Sequence, residues 1–101
     1  MLIYNVTIKV DPSINEAWLT WMQDIYIPEI LGTGCFVKHN LLRLLEIDDQ
    51  DGKTYAIQYY AESKANYNRY ISLYSQKFLQ QENAMWGNRI VHFATLMEIV
   101  N

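Results

Sequence analysis

The stretch from Asn15 to Leu31 most constrains what this chain can fold into. Ile14, Ala17, Trp18, Trp21 and Ile25 recur at three- and four-residue spacings, with Met22 widening the stripe, while Glu16, Thr20, Gln23 and Asp24 fall on the other side. That period belongs to an amphipathic helix, and its tryptophans read as core packing. Asp11-Pro12-Ser13 marks the start: Asp11 or Ser13 can accept from a free amide of the first turn, and Pro12 is tolerated there. Glu16 stands three residues after Ser13, the capping-box spacing, which favours Ser13 as the cap. Pro28 cannot donate to a helix and restricts Ile27. The main helix is therefore expected to stop near Tyr26, with a short further turn over residues 28–31.

Around this helix the pattern changes to period two. Leu2 to Val10 alternates, with Tyr4, Val6, Ile8 and Val10 on the expected core side and Ile3, Asn5, Thr7 and Lys9 on the other. Phe36 to Ile47 reads as a second strand, apolar on both sides and so expected to be covered on both. Asp48 to Gly52 ends in Asp-Gly, a hairpin signal. Its aspartates lack the spacing and the closing glutamate of a calcium loop. Lys53 to Glu62 is the third strand. Ser63 then caps a second helix that runs to about Trp86 and ends at Gly87. Tyr67, Ile71, Tyr74, Phe78 and Met85, with Tyr70, form its expected core stripe. Arg89 to Val100 is the fourth strand.

The order β-α-β-β-α-β, with right-handed crossovers, predicts an α+β domain of ferredoxin-like type spanning residues 1–101. Its four-stranded antiparallel sheet carries both helices on one face. The second face is then left with apolar groups, among them Ile3, Leu41, Leu45, Ala94 and Leu96. Half the residues are hydrophobic and eight are tyrosine, more apolar and aromatic material than so short a chain easily hides. Association through the second face, as a homodimer, is the expected outlet.

The net charge is −3 and there is no basic stripe, which disfavours nucleic acid. No apolar run is long enough to span a membrane. A strand pattern from Leu2 leaves no room for a signal peptide. One cysteine, Cys35, allows no internal disulfide and fits a reducing cytoplasm.

The pattern resembles the dimeric α/β-barrel superfamily and, more narrowly, the bacterial family DUF4286. The matching residues are Ile3 to Thr7, Trp18 to Met22, Ile27 to Leu31, Leu41 to Leu45 and Gln58 to Ser63. In that family a histidine often precedes the Ile-Pro pair; here the place is held by Tyr26. The resemblance implies the fold, a dimer and a bacterial cytoplasmic setting, and it brings no activity. The superfamily includes cofactor-free monooxygenases, lactone isomerases, haem-degrading enzymes and small-molecule sensors. Asn5 is similar to a haem-degrading feature, but the third-strand tryptophan and second-helix histidine of that type are missing.

The polar groups expected on the second face are Asn5, Thr7, His39, Arg43, Gln58, Tyr60 and His92, which could orient a small ligand. His39 and His92 lack the accompanying carboxylates that a metal site needs, so no metal and no cofactor is expected. No phosphate loop, dinucleotide fingerprint or Ser-His-Asp order is present. The leading expectation is a non-catalytic homodimeric module that binds a small ligand or a protein. The alternative is a cofactor-free monooxygenase- or isomerase-like enzyme for a small apolar or aromatic substrate. That enzyme requires Asn5, Arg43 and His39 or His92 to converge on one cavity. A third reading is a purely structural subunit whose second face is filled by a partner.

Overall fold

A computed structural model describes all 101 residues. Four strands, β1 (Leu2–Val10), β2 (Lys38–Arg43), β3 (Lys53–Ala61) and β4 (Ile90–Glu98), form one sheet in the order β2-β3-β1-β4. Each neighbouring pair is antiparallel. This is the expected ferredoxin-like arrangement: the connection from β1 to β2 passes β3, and that from β3 to β4 passes β1.

The first helix departs from expectation in an instructive way. It does not stop at Tyr26 but runs as α1 (Asn15–Trp21), a π-helical stretch Met22–Tyr26, and α2 (Ile27–Leu31). The Ile27 amide donates to the Met22 carbonyl, five residues back. The wider turn absorbs the clash and missing donor of Pro28, so the helix survives. It also shifts the buried face by one residue. Tyr26 and Ile27 are buried, while Ile25, expected inside, is 44% exposed. The cap also differs, because the Asp11 carboxylate, not Ser13, accepts from the Ser13 amide at 2.8 Å.

The second helix is broken at Tyr74 into α3 (Lys64–Leu73) and α4 (Ser75–Trp86). Ser63 caps α3 as expected, accepting from the Asn66 amide at 3.1 Å. Tyr74 leaves helical geometry at φ −125°, yet buried Tyr70, Phe78, Glu82 and Trp86 keep a four-residue spacing across it. In α4 the buried set is Phe78, Glu82 and Trp86, whereas Ile71 and Met85 are exposed. Gly87 takes the expected positive φ, 56°. Gly52 is required by close approach: a Cβ there would lie 2.1 Å from the Val10 carbonyl oxygen.

The core lies between the helices and one face of β1 and β3. Trp18 packs on Tyr55 with centroids 5.0 Å apart, and Trp21 on Tyr26 at 4.6 Å. Both edge strands are bare. Of β2 only Leu41 is even half-buried, and every residue of β4 after Ile90 is exposed. The cover expected on both sides of β2 does not come from this chain; the strand is also shorter than read, and Leu45 lies beyond it.

Candidate functional site

Antiparallel partners in register share a face, so the pairing places each candidate. Asn5 faces Gln58 on one side and Thr95 on the other, and Gln58 faces Asn40. These four residues make one polar row across the open face. Asn40 Nδ2 donates to the Tyr60 hydroxyl at 2.9 Å and to Gln58 Oε1 at 3.4 Å, and Asn5 Nδ2 donates to Thr7 Oγ1 at 3.2 Å. Asn5, Thr7, Gln58 and Tyr60 thus sit together on the second face, as expected. Asn40 and Thr95 complete the row and were not anticipated. Around it stand Ile3, Leu42, Val91, Phe93 and Met97, with Val91 68% and Phe93 63% exposed.

His39, Arg43 and His92 do not join them. Tyr59 opposes His39, Tyr55 opposes Arg43, and Ile8 opposes His92. All three therefore occupy the helix-side face, and so do Leu41, Ala94 and Leu96. The parity read for β2 and β4 was reversed because both strands are apolar on both sides and a one-residue slip exchanges the faces. Arg43 pairs with exposed Asp49 at 2.9 Å. His39 and His92 lie on opposite edges of the sheet and four residues out of register, roughly 20 Å apart. No single cavity gathers Asn5, Arg43 and a histidine.

The helix side instead carries a cleft that the sequence did not announce. Its floor is β1 and β3, through Tyr4, Val6, Ile8, Ile57 and Tyr59. Met22, Tyr26, Ile30 and Tyr70 reach it from the helices, Ser75, Leu79 and Glu82 from α4, and His92 from β4. The empty space is about 380 Å³ if the open mouth is included, but water centres reach only about 20 Å³ of it. The smaller figure decides what fits at rest, and it is room for about one water.

Glu82 is the unusual member. It is 3% exposed, and its Oε1 lies 3.2 Å from His92 Nε2. Burial pushes its carboxyl up from 4.5 to about 7. Burial first, then the charges of Tyr67 and Glu82, pushes Tyr4 up to about 12. Tyr26, Tyr59 and Tyr70 are also raised, by burial first and in each case also by Glu82, so all four hydroxyls stand within its field. The Tyr26 hydroxyl donates to the Phe78 carbonyl at 3.1 Å. Those of Tyr4, Tyr59 and Tyr70 form no hydrogen bond within the chain and line the cleft, whereas the buried polar atoms left without a partner, Trp18 Nε1 and Trp86 Nε1, lie outside it. A carboxyl poised near neutrality in such a cleft can exchange a proton or hold a cation. The signal for Glu82 was its spacing: it stands four residues after Phe78 and four before Trp86, on the buried stripe.

Residues 1–100 match the model of a domain of unknown function, DUF4286. No curated protein matches. Among solved structures, a dimeric ferredoxin-like protein from an uncultured marine organism is similar, with TM-score 0.73, 8% identity, and coverage of 100% of this chain and 96% of that one. A second protein so described, also from an uncultured marine organism, gives TM-score 0.67, 12% identity and coverage of 99% and 95%. SnoaB, a cofactor-independent oxygenase from Streptomyces nogalater, gives TM-score 0.68, 17% identity and coverage of 99% and 93%. At these identities the likeness is one of fold.

Proposed function

The chain belongs to the DUF4286 family over residues 1–100, and from that premise we propose that it is a non-catalytic homodimeric binding module working in the bacterial cytoplasm. Two copies meet through their open sheet faces, and the helix-side cleft of each takes a small ligand.

One observation carries the dimer: an apolar face bisected by a row of amides and hydroxyls, Asn40, Gln58, Asn5 and Thr95. Burying Leu42, Val91, Phe93 and Met97 favours association at about 25 cal/mol per Å² of apolar area. The row must find partners when water leaves. Asn and Gln each donate and accept, so a two-fold-related copy of the same row can satisfy it. The dimeric ferredoxin-like proteins with this fold support the same reading.

The cleft favours a small molecule over a protein as the ligand, because its polar groups lie beneath α4. The enzyme reading gains nothing from the geometry, since Asn5 is separated by the sheet itself from Arg43 and both histidines. Sedimentation equilibrium tests the assembly. The wild type is expected to be a dimer at micromolar concentration and Phe93→Glu a folded monomer. A monomeric wild type would overturn the proposal.

A further inference from the structure

The cleft is lined by polar groups that bond little to the rest of the chain. His92 Nε2 stands 3.2 Å from Glu82, and the hydroxyls of Tyr4, Tyr59 and Tyr70, which line the same cleft, make no hydrogen bond within the chain. A carboxyl and several hydroxyls that line one small cleft and keep hydrogen-bonding capacity open towards it are placed to orient a small ligand. The ligand's chemistry follows from those groups.

We infer that this cleft receives the ammonium head of a small primary amine, with Glu82 as its counter-ion and the hydroxyl oxygens of Tyr4, Tyr59 and Tyr70 as acceptors. The inference rests on the reading above that the cleft holds a small ligand, and it names the class. An alkylammonium brings three N–H donors and no acceptor. The cleft offers a carboxylate and phenolic oxygens to match them. An anion would meet Glu82 with no lysine or arginine in the lining to offset the repulsion. Size points the same way: room for about one water admits an ammonium head but not a trimethylammonium one. The tail can leave past Leu79, which is 43% exposed. His92, whose side chain is 33% exposed, stands beside the carboxylate at the edge of the cleft.

The groups facing Glu82 are Tyr4 from β1, Tyr26 from the first helix, Tyr59 from β3, Tyr70 from α3 and His92 from β4. Glu82 must be ionised to hold the cation, and burial keeps its proton on up to about pH 7. Binding in that range therefore releases a proton. Apparent affinity should fall about tenfold between pH 8.5 and pH 6.

The test is calorimetric titration of the intact protein with n-butylammonium chloride at matched ionic strength. Tetramethylammonium serves as the size control, and Glu82→Gln and Tyr59→Phe as variants. Expected results are saturable binding, at least about tenfold weakening in Glu82→Gln, about threefold or more in Tyr59→Phe, and no binding of tetramethylammonium. Absence of saturation, binding unchanged in both variants, or binding independent of pH would overturn the inference. Native mass spectrometry on the same preparation separates the two levels. A retained neutral molecule in a dimer that ignores butylammonium would sink the amine and leave the binding module standing. A monomer with no retained molecule would sink both.

Discussion

The same four strands build both faces of the sheet, and the two faces meet opposite fates. On the helix side Ile8, Val10, Ile57 and Tyr59 are at most 2% exposed. On the other, Leu42, Val91 and Phe93 are 45%, 68% and 63% exposed. The sealed face buries large side chains and one carboxyl, whereas the open face sets amides among its apolar groups. The difference teaches that a hundred-residue chain can afford helices for one face and two central strands only. Its edge strands and second face are left to something outside the chain.

The sharpest way to break this contrast is to truncate matched aromatics. Trp18→Ala should cost about 3–5 kcal/mol, because Trp18 is fully buried and leaves a cavity. Phe93→Ala should cost the isolated monomer about 1 kcal/mol or less. Urea titrations under dilute conditions would measure both, and equal losses would erase the distinction between the faces.

Next in size is the buried carboxyl. Glu82 rises from 4.5 to about 7 on folding, so the folded state binds its proton more tightly. Its contribution to stability is thus fully present below pH 4.5 and is lost as pH rises through about 7. The swing is roughly 3 kcal/mol. Glu82→Gln should remove that slope and exceed the wild type in stability at pH 8. Unfolding at pH 5 and pH 8 reads the effect, and an unchanged slope would mean that Glu82 is better solvated than its burial implies.

Smaller still is Tyr26→Phe, which deletes the bond to the Phe78 carbonyl and should cost about 1 kcal/mol without changing association. Asn5→Leu should change monomer stability by about 0.5 kcal/mol or less while weakening or misaligning the dimer. Sedimentation would show that change even where unfolding does not.

How much of this was legible in the chain depended on which strand was read. β1 and β3 have one buried face each, so Tyr4-Val6-Ile8-Val10 and Tyr55-Ile57-Tyr59 alternate cleanly and gave the right sides for Asn5, Thr7, Gln58 and Tyr60. β2 and β4 are exposed on both faces and carry Leu41 beside Leu42, and Phe93 beside Ala94. Alternation there is silent, and His39, Arg43 and His92 were misplaced. The family resemblance and element order carried the fold despite this. The first helix held a hidden change of phase, the π-helical stretch ahead of Pro28, and the second a break at Tyr74. The π-helical stretch is invisible to a fixed 3.6-residue period, so Tyr26 entered the cleft unannounced; Glu82 keeps the four-residue spacing of Phe78 and Trp86 but is of a charged type rarely buried.

The central claim is that the open face is closed by a second copy of this chain, and cysteine cross-linking tests it most directly. Cys35 is 1% exposed and does not interfere. Single cysteines would be placed at Asn5, Gln58 and Thr95 on the polar row, and at Gln80 on the exposed side of α4, and the reduced proteins oxidised under identical mild conditions. The account predicts rapid covalent dimers from one or more of the row positions and none from Gln80. Cross-linking from Gln80 as fast as from the row, or from no row position at all, would contradict it.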